Sequence, residues 1–123
     1  MPINSSDLSI GILIISTQNR QIIDANNAAL QMIEAERDEV VGQLYNQFFQ
    51  AAHPGTCVCP LEDPVILEKE LDCFLVQKSG RRIPINKSSS ILRREGSSVL
   101  VESFLQIPQI SPEETPNNDQ RKL

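Results

Sequence analysis

Residues 11–30 read GILIISTQNRQIIDANNAAL, and the change of pattern within this stretch decides the predicted fold. The β-branched run at residues 9–16 has the length of a strand, and residues 21–24 resume as a second strand after a short polar turn. From Asn26 onward the apolar residues fall at helical spacing, and Asp24 or Asn26 can cap the first helical turn. The stretch therefore predicts a β-hairpin that leads directly into a helix.

The remainder of the chain predicts further short helices and then three strands. Capping residues and helical spacing place the helices at residues 37–41, 44–52 and 64–71. Strands separated by Ser-Gly and Glu-Gly turns are predicted at residues 72–78, 82–92 and 98–107. We therefore expect an α+β fold, in which a five-stranded antiparallel sheet is covered on one face by several short helices. A small ligand commonly binds between two such layers.

Length and composition indicate a single domain that does not bind nucleic acid or a membrane directly. The 123 residues suffice for a single core, and we expect a short N-terminal segment at residues 1–8, the domain at 9–107 and a flexible tail or linker at 108–123. The net charge of −5 and the absence of tryptophan argue against direct binding of nucleic acid or a membrane. The N-terminus lacks the pattern of a signal peptide, so we expect a cytoplasmic protein.

The segment from His53 to Pro60 reads HPGTCVCP and holds the single histidine and two of the three cysteines. With Cys73, which follows in the next predicted strand, it offers four ligands for a metal or a haem: His53, Cys57, Cys59 and Cys73. Two other outcomes remain open. Cys73 and one cysteine of the segment can form a redox-dependent disulfide, or Cys73 can be a small buried hydrophobic side chain.

A ligand cavity between sheet and helices would be lined mainly by apolar side chains. The candidates are Asn26, Met32, Phe48, Phe49, Ile66, Phe74 and Phe104. Within the predicted strand 82–92, the run Ser88–Ser90 can present hydroxyl groups inward or mark a solvated stretch. The sequence carries neither a nucleophile motif nor a glycine-rich phosphate loop, so we expect no enzymatic activity.

Four segments in this order resemble the PAS domain, a sensory module of bacterial signalling proteins. They are GILIISTQNRQIIDANNAAL with Asn26 and Ala28-Ala29, RDEVVGQ with Gly42, KSGRRIPI with Gly80, and VLVESFLQI. The resemblance spans about residues 8–107. The chain departs from the family at Glu34-Ala35-Glu36, where a Gly-aromatic-Ser/Thr sequence is common. We also expect the long helix that often precedes the first strand and mediates dimers to be absent or truncated to residues 1–8.

The resemblance implies a non-enzymatic sensor that binds a small ligand or senses redox state and relays the signal to a partner. That partner would be a second copy or an output domain of the histidine kinase (two-component) or transcriptional regulator type. The stretch after Gly42 lacks the cysteine of flavin-binding members, which argues against a flavin. Cys57-Val-Cys59-Pro60 is similar to a subgroup with suspected redox or metal sensing. The alternatives are a ligand-free dimerisation module and a small thiol redox protein that uses Cys57 and Cys59.

Overall fold

The computed structural model describes residues 9–53, 59–62 and 64–108. These residues form one antiparallel sheet of six strands in the order β2-β1-β6-β5-β4-β3. The strands are β1 (Gly11–Ser16), β2 (Ile22–Ala25), β3 (Phe49–Ala51), β4 (Leu71–Val76), β5 (Arg82–Arg94) and β6 (Ser97–Gln106). Within the described ranges, the helical elements are α1 (Asn27–Ile33), α2 (Arg37–Val40) and two single 3₁₀ turns, Tyr45–Phe48 and Pro64–Ile66.

The predicted α+β architecture, an antiparallel sheet with short helices, is confirmed, but the sheet has six strands rather than five. The predicted helix at residues 44–52 is wrong, because the chain makes one 3₁₀ turn and then continues as β3. Phe49 pairs with Leu75, so β3 extends the sheet beyond β4. The backbone bonds offered by that strand outweigh a weak local preference for helix.

The predicted helix at residues 64–71 is also wrong, since only the 3₁₀ turn Pro64–Ile66 forms. Glu68 has a φ of 62°, which a right-handed helix does not allow. Its backbone N–H donates to Ser89 O over 2.7 Å, so the chain is bonded to β5 instead of to its own preceding turn.

Helix α1 packs on β1, and the Asn26 side chain joins the two. Asn26 Oδ1 accepts from the N–H of Ala29, which caps the helix, and from the N–H of Ile12, each over 2.9 Å. Its Nδ2 donates to Ile10 O over 2.9 Å. The predicted cap therefore also fixes the helix against the first strand.

Close packing at the start of β1 requires a glycine. A Cβ at Gly11 would lie 2.5 Å from Phe104 Cε2 and 3.0 Å from Met32 Cε. The missing side chain leaves this space to the Phe104 ring of β6 and the Met32 side chain near the end of α1.

The other end of α1 is bonded to the β4–β5 hairpin. The backbone N–H of Lys78 donates to Ile33 O, and Gln77 Nε2 donates to Met32 O, each over 2.9 Å. Gln77 is buried, so this contact lies within the packed layer between helix and hairpin.

The predicted N-terminal segment 1–8 lies outside the described residues, as does the predicted tail from residue 109 onward. Within the described part of the chain, no helix has the length and apolar character needed to cross a bilayer.

Candidate functional site

Two opposite charges are buried on the helix-covered face of the sheet. Inward-facing residues alternate along β5 and β6, and this alternation places Lys87 and Glu102 among the apolar side chains of the core. Lys87 Nζ lies 2.9 Å from Glu102 Oε1, and the two side chains are 1% and 0% exposed. Charges this deeply buried need a partner, and here each charge has one.

Ser89 completes this cluster on the inner face of the two central strands. Its hydroxyl donates to Glu102 Oε1 over 2.5 Å, and Lys87 Nζ lies 3.1 Å from the same hydroxyl oxygen. Ser89 stands directly across from Glu102 in the β5–β6 register, so the sheet itself sets this contact. Of the two alternatives left open for the serine run, Ser89 follows the one in which a hydroxyl faces inward.

The second oxygen of the same carboxylate has no partner among the described residues. Glu102 Oε2 is fully buried and accepts no hydrogen bond there. Leaving a buried acceptor unsatisfied costs about 1–3 kcal/mol, and more when the group is charged. The cluster is therefore balanced in charge but not in hydrogen bonding.

Aromatic rings enclose the ammonium side of the cluster. Lys87 Nζ lies 5.2 Å from the centroid of the Phe49 ring, within range of a cation–π interaction. Phe49 in turn makes edge-to-face contacts with Tyr45 and Phe104, with centroid separations of 6.0 and 5.6 Å. The charges consequently sit in an aromatic surrounding of low polarity.

Two chain segments beside the cluster are called the cover here, namely the 3₁₀ turn Tyr45–Phe48, whose Tyr45 is close enough to feel the charge of Glu102, and residues 59–62, which Tyr45 contacts through Cys59. The Tyr45 hydroxyl donates to Cys59 Sγ over 2.6 Å, and both residues are buried. At the surface, Arg20 and Glu62 form an ion pair of 2.8 Å between exposed side chains. The cover thus consists of single turns and a loop rather than long helices.

Burial shifts the pKa of the titratable groups around the cluster. Desolvation raises the pKa of Glu102, and the Lys87 ammonium and the hydrogen bonds from Ser89 and Lys87 oppose that rise. Desolvation, then the hydrogen bond to Cys59 and the charge of Glu102, raise the pKa of Tyr45. Burial raises the pKa of the Cys73 thiol to about 11. Tyr45 and Cys73 are thus held in their neutral forms.

Three of the four predicted metal ligands, His53, Cys59 and Cys73, lie among the described residues. Cys73 is a buried thiol on β4, Cys59 is buried against Tyr45, and His53 lies exposed just after β3. Cys57 falls outside the described residues. Within the described ranges, no group of three His, Cys, Asp or Glu side chains could hold a metal ion. A metal or haem at His53, Cys57, Cys59 and Cys73 stays a prediction.

The predicted cavity residues divide between the two faces of the sheet. Phe48, Phe49 and Phe104 are buried in the core, and Met32 packs against it. Phe74 does not line this site, because it alternates with the inward residues Cys73 and Leu75 and stacks under Arg82 on the outer face. Ile66 is half-buried in its 3₁₀ turn. Asn26 is exposed, and its side chain is used for the helix cap and the bonds to β1.

Sequence reasoning missed the charged centre of the site. Strand alternation alone carries the signal, since Ile83 and Ile85 predict an inward Lys87, and Leu100 and Phe104 predict an inward Glu102. Opposite charges at inward positions of successive predicted strands indicate a buried ion pair. Tyr45 has no comparable signal, because its contact with Cys59 depends on how the cover folds.

The PAS domain family model matches residues 9–106. The chain belongs to the PAS domain family. No curated protein sequence matches this PAS domain.

Solved structures share the fold of this PAS domain at low sequence identity. A PAS domain from a two-component sensor histidine kinase is 16% identical, has a TM-score of 0.63, and the match covers 80% of this chain and 85% of that one. The PAS domain of nitrogen regulation protein NR(II) from Vibrio parahaemolyticus is 20% identical, with a TM-score of 0.61 and coverage of 87% and 100%. A light-oxygen-voltage domain studied with a flavin analogue is 13% identical, with a TM-score of 0.64 and coverage of 97% and 93%.

Proposed function

We propose that this PAS domain is a non-catalytic sensory module whose signal enters at the inner face of the sheet. A small ligand at the Lys87–Glu102 cluster changes how the cover sits on the sheet, and the change is relayed to a partner. The partner is a second copy of the chain or an output domain of a histidine kinase or a transcriptional regulator.

One observation carries the proposal, namely the buried ion pair with an unsatisfied carboxylate oxygen on the two central strands. Such a pair is not required for stability, since a protein in which apolar residues of similar volume replace a buried ion pair is often as stable or more stable. Glu102 lies on β6, between β1 and β5, so a shift of its side chain is felt by both neighbouring strands. The alternating residues Val101 and Ser103 of the same strand are placed on the outer face, where a partner can read the change.

A redox signal is the second candidate, and the contact between Tyr45 and Cys59 favours it. An external two-electron oxidant that joins Cys59 to another thiol, taking up the two electrons as two protons are released, would remove the hydrogen bond that joins the two segments of the cover. The raised pKa of Cys73 argues against Cys73 as the attacking thiol, because the thiolate is the reactive form. The hypothesis of redox sensing therefore requires that Cys59 and Cys57 are the reacting thiols.

The test is a two-dimensional NMR screen of the 123-residue chain against small molecules and against reducing and oxidising buffers. A sensory role predicts that at least one condition shifts the signals of inward residues of β5 and β6 together with the signals of Val101 and Ser103, whose side chains face outward. Metal content and ultraviolet–visible spectra of the purified protein decide on a metal or haem. If no condition shifts both faces, and dimers persist after all three cysteines are changed to serine, the chain is a ligand-free dimerisation module.

A further inference from the structure

We propose that Glu102 Oε2 is the acceptor for a small neutral ligand that carries a hydroxyl or amide donor on an apolar body. This inference rests on the proposed sensory function and names the chemical class of its ligand. It starts from the buried oxygen that has no hydrogen-bond partner among the described residues, although its sister oxygen has two.

Protonation of the carboxylate does not satisfy this oxygen. A proton on Oε2 would turn an acceptor without a donor into a donor without an acceptor. It would also remove the negative charge that faces the buried Lys87 ammonium at 2.9 Å. A donor brought by another molecule satisfies the oxygen and keeps the ion pair intact.

The balance of charge selects a neutral donor. Lys87 and Glu102 are the buried charged side chains of the described core, and they cancel each other. A cationic ligand would add an uncompensated positive charge beside Lys87, and an anionic ligand would add a negative charge beside Glu102. In a surrounding of low polarity either excess charge is unfavourable, so a hydroxyl or an amide N–H fits best.

The neighbours of Glu102 select an apolar body for the ligand. Leu13 stands across from Glu102 on β1, and Leu100 and Phe104 flank it on the same face of β6. The three side chains are at most 1% exposed. A molecule that reaches Oε2 therefore contacts aliphatic and aromatic carbon over most of its surface.

The cover provides the route to this site. It is built from one 3₁₀ turn and a loop, which are joined to each other by the Tyr45–Cys59 hydrogen bond, and the loop is joined to the turn between β1 and β2 by an exposed ion pair between Glu62 and Arg20. Exposed ion pairs are weak, and short turns with few internal bonds open more readily than packed strands. Entry needs only a displacement of the cover, while α1 keeps its bonds to the hairpin.

The experiment compares two isomeric probes, 1-butanol and methyl propyl ether, which differ in whether the oxygen carries a donor. Each is titrated into the full chain while the NMR signals of the Leu13 and Leu100 methyl groups are recorded. We expect saturable shifts with 1-butanol and binding at least about tenfold weaker with the ether, because the ether leaves Oε2 unsatisfied. The matched control is Lys87→Met/Glu102→Leu, in which the alcohol and the ether are expected to bind equally.

Each result decides the question. Equal binding of both probes to the wild-type chain would refute the requirement for a hydrogen-bond donor on the ligand. It would still show a ligand site on the inner face, so the proposed sensory function would stand. No saturable shift with either probe overturns the inference, and the sensory proposal is then judged by its own readout at Val101 and Ser103. The comparison on the wild-type chain holds even if the double variant does not fold, since it needs no substitution.

Discussion

Lys87 and Glu102 form an ion pair of 2.9 Å between adjacent central strands, and neither side chain is more than 1% exposed. Such a pair has a characteristic response to substitution. Removing one partner leaves the other charge buried and uncompensated, so Glu102→Leu should lower the free energy of unfolding by about 3–5 kcal/mol. Lys87→Met/Glu102→Leu should be close to wild type or more stable. Urea denaturation of wild type, both single variants and the double variant measures this, and additive single effects would contradict the pairing.

The raised pKa of Glu102 predicts the direction of a pH effect. In the folded chain the carboxyl holds its proton to higher pH than in the unfolded chain, so between the two pKa values the folded state binds more protons. The contribution of Glu102 to stability is therefore full below its unfolded pKa and is lost as pH rises through its folded pKa. We expect the stability of wild type relative to Lys87→Met/Glu102→Leu to fall as pH rises above about 4.5.

Urea denaturation of both proteins from acid to neutral pH checks this slope. The difference between the two proteins is the relevant quantity, because exposed carboxylates such as Asp24 and Glu39 have lowered pKa values and act in the opposite direction in both. A difference that grows with pH would mean that Glu102 is ionised more easily in the folded chain than burial allows.

Gly11 and Phe104 should be coupled energetically. Gly11→Ala introduces a Cβ that would lie 2.5 Å from Phe104 Cε2, and such overpacking costs about 1–3 kcal/mol. Phe104→Leu removes the clashing ring atoms at the expense of a cavity. The double variant should therefore be less destabilised than the sum of the single variants, as measured by a double-mutant cycle in urea. A sum that is strictly additive would show that the ring does not occupy this space.

Tyr45→Phe should make Cys59 more reactive without unfolding the chain. The substitution removes the hydroxyl that donates to Cys59 Sγ, at a cost of about 0.5–1.5 kcal/mol, and loosens the cover. Mass spectrometry after timed iodoacetamide treatment should show faster alkylation of Cys59 than in wild type. Cys73 serves as the internal control, since it is buried and its pKa is about 11, so it should stay slow in both proteins. Equal acceleration at both cysteines would indicate general unfolding instead.

Asn26→Ala should release α1 from β1. It removes the helix cap and the two bonds to the backbone of Ile10 and Ile12, and the loss of such a cap costs about 1–2 kcal/mol. Hydrogen exchange should increase at the amides of Ile12 and Ala29, which donate to the Asn26 side chain. The neighbouring Asn27→Ala is the matched control, and similar exchange in both variants would contradict the role of Asn26.

The spacing of apolar residues was sufficient to predict those strands and helices whose buried side chains recur at a single regular spacing. β1, β5 and β6 alternate as the sequence predicts, and their ends differ from the predicted ones by at most two residues, while α1 begins one residue after Asn26. At residues 44–52 the spacing of Tyr45, Phe48 and Phe49 matches one helix face, and all three side chains are buried. The chain buries them with a 3₁₀ turn and a strand instead, because β4 offers an edge that a sequence pattern does not reveal.

The candidate site was less accessible to sequence reasoning than the fold. The cysteine-rich segment drew attention to metal ligands, whereas the described interior is organised by Lys87, Ser89 and Glu102. The inward positions of these residues follow from alternation, but their contact depends on the register that pairs Ser89 with Glu102. Register is set by turns and by the whole hydrophobic face, which is why a short motif does not show it.

The bonds from Lys78 and Gln77 to the end of α1 determine which part of the α layer can respond to a stimulus. Because Ile33 O and Met32 O are both engaged by the β4–β5 hairpin, α1 and that hairpin move as one body. The stretch after Gly42 is bonded to a different part of the sheet, because Gly42 N–H donates to Ile22 O and Tyr45 N–H donates to Arg20 O. A stimulus that breaks one of these two groups of bonds leaves the other in place, so the described α layer consists of two parts that are held independently.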